Sequence, residues 1–263
     1  MQGIGMTGAE LRVVFGKNII NLSDEELDRA KEILARHGLT VVSIASPVLK
    51  CVLPDAPPVD SSIQHDIFGA QYTIDDQPRL TARAFAVAKK TGARIIRVFS
   101  YWRTTNPEEC FDRAVAALRK LTEQAAEHGL TIALENEHAC NIATAVETAK
   151  VLKELDHPNF KVIWDPANAY VSGEIPYPGG YRLLPVNRIV HVHAKDCTMS
   201  GHQPVWGALG ECDIDWKGQI RSLKDDGYQG YISLETHWTG PHGDKHEASM
   251  ICGRNLKSLV TAA

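Results

Sequence analysis

The chain has 263 residues, 44% of them hydrophobic and 23% charged, with a formal net charge of -4 and a pI of about 6.3. This mildly acidic balance gives no electrostatic reason to expect nucleic acid or an anionic membrane as partner. No apolar run nears the roughly 18 residues that span a bilayer, and the start MQGIGMTGAELR lacks the basic-then-apolar layout of a signal peptide.

Length and composition suit one α/β domain, read as residues 1–263. Six cysteines are scattered without a C-x-x-C pair. A chain of this size needs no disulfide framework, so a reducing cytoplasm is the expected setting and the cysteines read as small buried apolar residues.

The first strand-like run covers residues 10–15 (ELRVVF). Ser23-Asp-Glu-Glu26 follows as an S-x-x-E capping box, opening a helix to about His37 with Gly38 as its stop. Strand-like runs come next at 40–45 (TVVSIA) and 94–101 (RIIRVFSY). Pro107-Glu-Glu then opens a helix to about His128-Gly129. The run 131–137 (TIALENE) leads to a helix capped at Asn141 and ended by Asp156-His-Pro, and 161–165 (KVIWD) is the next strand. The stretch 171–185, rich in Gly, Pro and Tyr, reads as a loop holding at most a short helix. A strand at 189–196 (IVHVHAKD), a helix at 215–226, a strand at 231–237 (YISLETH) and a helix from Asp244 onward complete the pattern.

Strands apolar on both faces, alternating with amphipathic helices, imply a parallel sheet with right-handed crossovers. No G-x-G-x-x-G turn follows any strand, which argues against a dinucleotide fold. The expectation is an α/β fold, a (β/α) TIM-type barrel. Seven strand-like runs stand where such a barrel has eight, so its first strand–helix unit is expected to be lacking or shortened. That leaves a seam between the ELR and ISLET strands, where unpaired backbone groups need cover. Residues 1–9, MQGIGMTGA, are short and glycine-rich and read as the poorer cover. A homodimer, or a gene start placed too far downstream, is expected instead.

Side chains at the carboxyl ends of barrel strands converge on one mouth. Four successive strand ends carry a metal-competent group: Glu135 in ALENE, Asp165 in VIWDPAN, His193 in HVHAKD and Glu235 in ISLETHW. Singly, each has an ordinary explanation: a salt bridge for Glu135, a cap for Asp165, a satisfied core histidine for His193. Together, three carboxylates and an imidazole at one rim would repel without a cation, and buried unpaired charges cost several kcal/mol.

The motifs LENE at 134–137, WDPAN at 164–168, HVHAKD at 191–196, LGECDIDW at 209–216 and GYQGYISLET at 227–236 occur in an order and spacing that resembles the xylose isomerase-like barrels. That family includes sugar epimerases, hydroxypyruvate isomerase, inosose dehydratase and endonuclease IV. The resemblance implies one divalent cation on Glu135, Asp165, His193 and Glu235, with Glu135 and Glu235 removing and returning a proton through an enediolate. An oxygen-rich ligand set with one imidazole favours Mn²⁺, Mg²⁺ or Co²⁺, with Zn²⁺ also open. The substrate implied is a small carbohydrate-like molecule, and His191, Lys195, Asn168 and Trp102 are its expected contacts.

The chain also departs from the family. Asn168 stands where several members have a histidine, Met199 where tagatose-type epimerases have an arginine, and Pro204 and Trp206 where endonuclease IV has metal ligands. An isomerase or epimerase is therefore expected, with a metal-dependent dehydratase or a non-catalytic binding barrel as the alternatives.

Overall fold

The computed structural model describes residues 1–63 and 71–263. The chain enters the sheet at β1 (Gly8–Leu11), earlier than the apolar run implies, and leaves it at Arg12. Phe15 and Gly16 both have positive φ, 52° and 74°, as a two-residue hairpin turn of this hand requires. They fold the rest of the run into a small hairpin, β2 (Val13–Val14) with β3 (Lys17–Asn18).

The Ser23 capping box forms. Its hydroxyl accepts from Glu26 N at 3.2 Å and Glu26 Oε2 accepts from Ser23 N at 2.8 Å, opening α1 (Asp24–Arg36). β4 (Thr40–Ile44) follows. The helix α2 (Gln77–Thr91) was not anticipated, although its buried Leu80, Ala84, Val87 and Ala88 recur at helical spacing between Pro78 and a positive-φ Gly92.

β5 (Ile95–Val98), α3 (Phe111–Ala126) and β6 (Thr131–Glu135) fall within the expected segments. The next helix, α4 (Ala145–Glu154), is capped by Thr144 in a reciprocal box with Glu147, not by Asn141. Asn141 instead ties loops together, accepting from Thr104 N at 3.0 Å and donating to Ser100 O at 3.2 Å. β7 (Phe160–Trp164), α5 (Pro166–Val171), several short turns between 176 and 188, and β8 (Ile189–Ala194) come next. A second unanticipated hairpin, β9 (Asp196–Ser200) with β10 (Gln203–Gly207), precedes α6 (Trp216–Asp225), β11 (Tyr231–Leu234) and α7 (Lys245–Ala262).

Seven parallel strands in the order β1-β4-β5-β6-β7-β8-β11 make a nearly closed, shortened TIM-type barrel. Leu27, Leu80, Ile96, Leu118, Ile132 and Phe160 fill the layer between strands and helices. The seam between β1 and β11 lies where the strand count placed it. Tyr231 packs directly over Gly8, where any Cβ would meet its ring at 2.6 Å, and Ile4 packs over Gly253 of α7. The N-terminal residues, expected to be the poorer cover, thus close one end of the seam, and a groove of about 910 Å³ remains along it. Among the described residues no helix is long and apolar enough to cross a membrane.

Candidate metal centre

The last residue of β6, the residue after β7, the penultimate residue of β8 and the residue after β11 bring Glu135, Asp165, His193 and Glu235 to one point. One oxygen or nitrogen from each lies within 4.8 Å of the others. His193 Nδ1 is 3.0 Å from Glu135 Oε1, 3.8 Å from Asp165 Oδ2 and 3.9 Å from Glu235 Oε2. Local structure fixes each group. Asp165 caps α5 by accepting from Asn168 N at 2.9 Å, and its backbone N–H donates to Asn136 Oδ1 at 2.8 Å. Asn168 Nδ2 points at Glu135 Oε1 at 3.4 Å.

The surrounding cations balance the cluster. Lys195 Nζ lies 2.6 Å from both Asp165 Oδ2 and Glu235 Oε2, Arg97 Nη1 lies 3.1 Å from Glu135 Oε2, and Arg12 Nη1 lies 3.0 Å from Glu235 Oε1. Even so, Glu135 Oε2 and Asp165 Oδ2 are buried and accept no well-formed hydrogen bond. Three carboxylates and an imidazole whose ligand atoms converge within 4.8 Å are the donor set a divalent cation takes. The residues present fit such an ion.

Burial alone would strip His193 of its charge, but Glu10 and Glu135 outweigh it and hold its pKa well above the usual histidine range. Burial also opposes ionisation of Glu235 and Glu135. Lys195 outweighs it at Glu235, which ends well below the carboxylate range, while His193 and Arg97 outweigh it at Glu135. His191 has no such partner strong enough, and burial lowers its pKa to about 4.

A cavity of about 480 Å³ opens above the cluster, lined by Arg12, Lys50, Arg103, His138, Trp206 and His237 among others. The Trp206 and His237 rings lie 4.5 Å apart and form one wall. At the rim, His138 Nδ1 is 2.9 Å from Glu137 Oε1 and 3.0 Å from Asn168 Oδ1. Burial opposes protonation of His138, yet Glu137 raises its pKa above the ordinary value.

Four side chains were expected to touch substrate. Lys195 sits inside the carboxylate cluster, and its ammonium pairs with Asp165 and Glu235, not with the neighbouring Asp196. Asp196 is occupied by the backbone N–H groups of Cys197, Gly210, Cys212 and Ile214. Asn168 is buried and positions Glu135 and His138. His191 is fully buried beneath His193, 5.5 Å between ring centroids, with Nε2 2.8 Å from Ser233 Oγ. Trp102 packs with Phe99, Ala139 and Cys140 behind Lys50, whose ammonium lies 5.4 Å from its ring centroid. Neither His191 nor Trp102 lines the cavity.

Sequence reasoning missed Glu10 and Arg97, and with them Lys50, Glu137 and His138. The signal was a charge in the middle of an apolar strand: Glu10 between Ala9 and Leu11, Arg97 between Ile96 and Val98. Such charges survive only by pointing inward to partners.

Comparison with known proteins adds a family. The model of the xylose isomerase-like TIM barrel matches residues 1–256. Inosose dehydratase of Geobacillus thermodenitrificans is 28% identical over 145 residues, 49% of this chain and 47% of that one. Among solved structures, the IOLI protein with a bound zinc atom has a TM-score of 0.72 at 17% identity, covering 99% of this chain and 90% of that one. The 3-keto-D-glucoside 4-epimerase of E. coli has a TM-score of 0.68 at 17% identity, covering 100% and 91%. The chain spans about half the length of the curated relatives it matches.

Proposed function

The chain belongs to the xylose isomerase-like TIM barrel family, and from that premise we propose that it is a divalent-metal-dependent isomerase or epimerase of a small sugar, polyol or hydroxy-keto compound. The observation that carries this reading is the meeting of Glu135, Asp165, His193 and Glu235 within 4.8 Å at the floor of a cavity sized for such a substrate. A cation held by these four would polarise substrate oxygens and stabilise developing negative charge.

The chain's own residues handle the proton. Glu135 and Glu235 enter from strands on different sides of the site, so one can remove a proton next to a carbonyl and the other return it to the opposite face. Arg97 and His193 stabilise the ionised form of Glu135, and Lys195 and Arg12 that of Glu235. Each is thus set as a base, and the one acting as acid takes its proton from solvent while the other passes the abstracted proton back to solvent. The Trp206–His237 wall offers an apolar face and excludes water from one side.

A dehydratase is the second reading, and His138 favours it. Loss of a hydroxyl after proton abstraction needs an acid, and His138, held protonated by Glu137, lines the cavity. The curated relatives with this reaction in their names point the same way. Incubation with a panel of sugars and cyclitols separates the readings. A new stereoisomer supports the first, a new conjugated absorbance the second, and no product leaves a barrel that only binds.

The pH dependence of metal uptake is a further expectation. His193 is held protonated above its ordinary range by Glu10 and Glu135, and a metal ligand must give up that proton. Below the raised pKa of His193, affinity should therefore rise with pH by up to about tenfold per unit, levelling off once His193 is neutral. Calorimetry in buffers of different ionisation enthalpy reads the released proton. A pH-independent affinity would take His193 out of the ligand set.

A homodimer joined along the seam belongs to the same proposal. Sedimentation at micromolar concentration should show two chains, and a stable monomer would remove it.

A further inference from the structure

Both nitrogens of His193 are engaged, and on opposite sides. Nδ1 faces Glu135, Asp165 and Glu235, whereas Nε2 lies 2.7 Å from Glu10 Oε2. Glu10 is itself fixed, because its other oxygen accepts from Ser43 Oγ at 2.7 Å. The register of β1 against β4 slips between Ala9 and Glu10, so that Ala9 faces Val41 but Glu10 faces Ser43. Bulges of this kind re-aim a side chain, and this one brings Glu10 to both Ser43 and His193.

We infer that Glu10 is a positioning residue whose carboxylate fixes His193 with Nε2 protonated and Nδ1 turned toward the candidate metal centre. The inference rests on the metal reading proposed above. An ionised carboxylate only accepts, so the shared proton must sit on Nε2. The lone pair available to a cation is then the one on Nδ1, and the hydrogen bond raises its basicity.

Glu10, His191 and His193 also lie close enough to suggest a second cation site. The contacts argue against it. Glu10 Oε2 shares a 2.7 Å hydrogen bond with His193 Nε2, its other oxygen is held by Ser43 Oγ, and His191 Nε2 is turned to Ser233 Oγ.

The test strips the full-length protein with chelator and titrates it with Zn²⁺. Glu10→Ala should bind about 10- to 100-fold more weakly than wild type, the range expected when a ligand loses its outer partner. Glu10→Gln, whose amide oxygen can accept the same proton, should recover most of the loss. Nitrogen-15 spectra of the zinc-loaded forms should show His193 protonated at Nε2 in wild type and Glu10→Gln. Ser43→Ala, the milder variant, should weaken binding in the same direction by less. Unchanged zinc affinity in Glu10→Ala, with only a lower melting temperature, would reduce Glu10 to a structural role and overturn the inference. Two zinc ions per chain would overturn it in favour of a second site. Failure of the wild type to bind zinc, Mn²⁺ or Mg²⁺ would overturn both this inference and the reading beneath it.

Discussion

Asp165→Asn is expected to yield a folded protein that no longer retains a divalent ion. The two jobs of Asp165 separate in this variant. Its Oδ1 caps α5, and asparagine caps a helix as well as aspartate does, so the loop after β7 should keep its shape. Its Oδ2 faces the cluster, and there an amide is a far poorer ligand than a carboxylate. Affinity should fall by more than the roughly 10- to 100-fold that loss of an outer-shell partner costs. Lys195 keeps Glu235 at 2.6 Å, which limits the damage of removing a partner from a buried charge. Metal analysis of purified wild type and variant reads the outcome, with circular dichroism as the check on folding. Full occupancy in Asp165→Asn would remove Asp165 from the site.

Replacing either proton-handling glutamate should cut turnover by about 10²- to 10⁴-fold, but the two variants should differ in stability. The side chain of Glu135 is 1% exposed and pairs with Arg97, which is 5% exposed. Glu135→Gln leaves that guanidinium with less to balance it, and breaking a buried pair of this kind costs about 3–5 kcal/mol. Glu235 is 19% exposed, and its partner Lys195 keeps Asp165, so Glu235→Gln should melt close to wild type and is the cleaner test. If the two residues work on opposite faces, each variant should still exchange the proton of the one substrate stereoisomer that faces its remaining glutamate. Equal loss of exchange for both stereoisomers would show that a single residue serves both faces.

Much of this was legible because strand ends and helix caps are local signals. Ser23 with Glu26, and the three acids and one imidazole at successive strand ends, need only residues close in sequence to be seen. The parallel barrel followed from the alternation, and the seam from the strand count. Glu10 and Arg97 showed in the sequence only as charges inside apolar strands, because the partners that give them meaning lie on other strands. Glu10 meets His193 at a separation of 183 residues, and Arg97 meets Glu135 on the next strand. Trp102 is a different case. Its position after an apolar strand suggested a rim aromatic, whereas packing with Phe99 and Cys140 draws it away from the cavity. Helix α2 was legible as well, since Leu80, Ala84, Val87 and Ala88 keep an unbroken apolar stripe with Arg79, Arg83, Lys89 and Lys90 off that face. The ends of the strands were overestimated throughout, since a barrel strand gives way to polar loop as soon as its side chains reach the mouth.

The central claim is that this site moves a carbon-bound proton with the help of a divalent ion. The most direct measurement is uptake of solvent deuterium into carbon positions of a sugar and cyclitol panel in D₂O, run with metal-loaded and chelator-treated protein. The account predicts deuterium at one carbon beside a carbonyl for at least one panel member, lost on chelation and restored by adding the ion. Uptake that persists undiminished after complete removal of metal would contradict it, as would its absence across the panel in fully loaded protein.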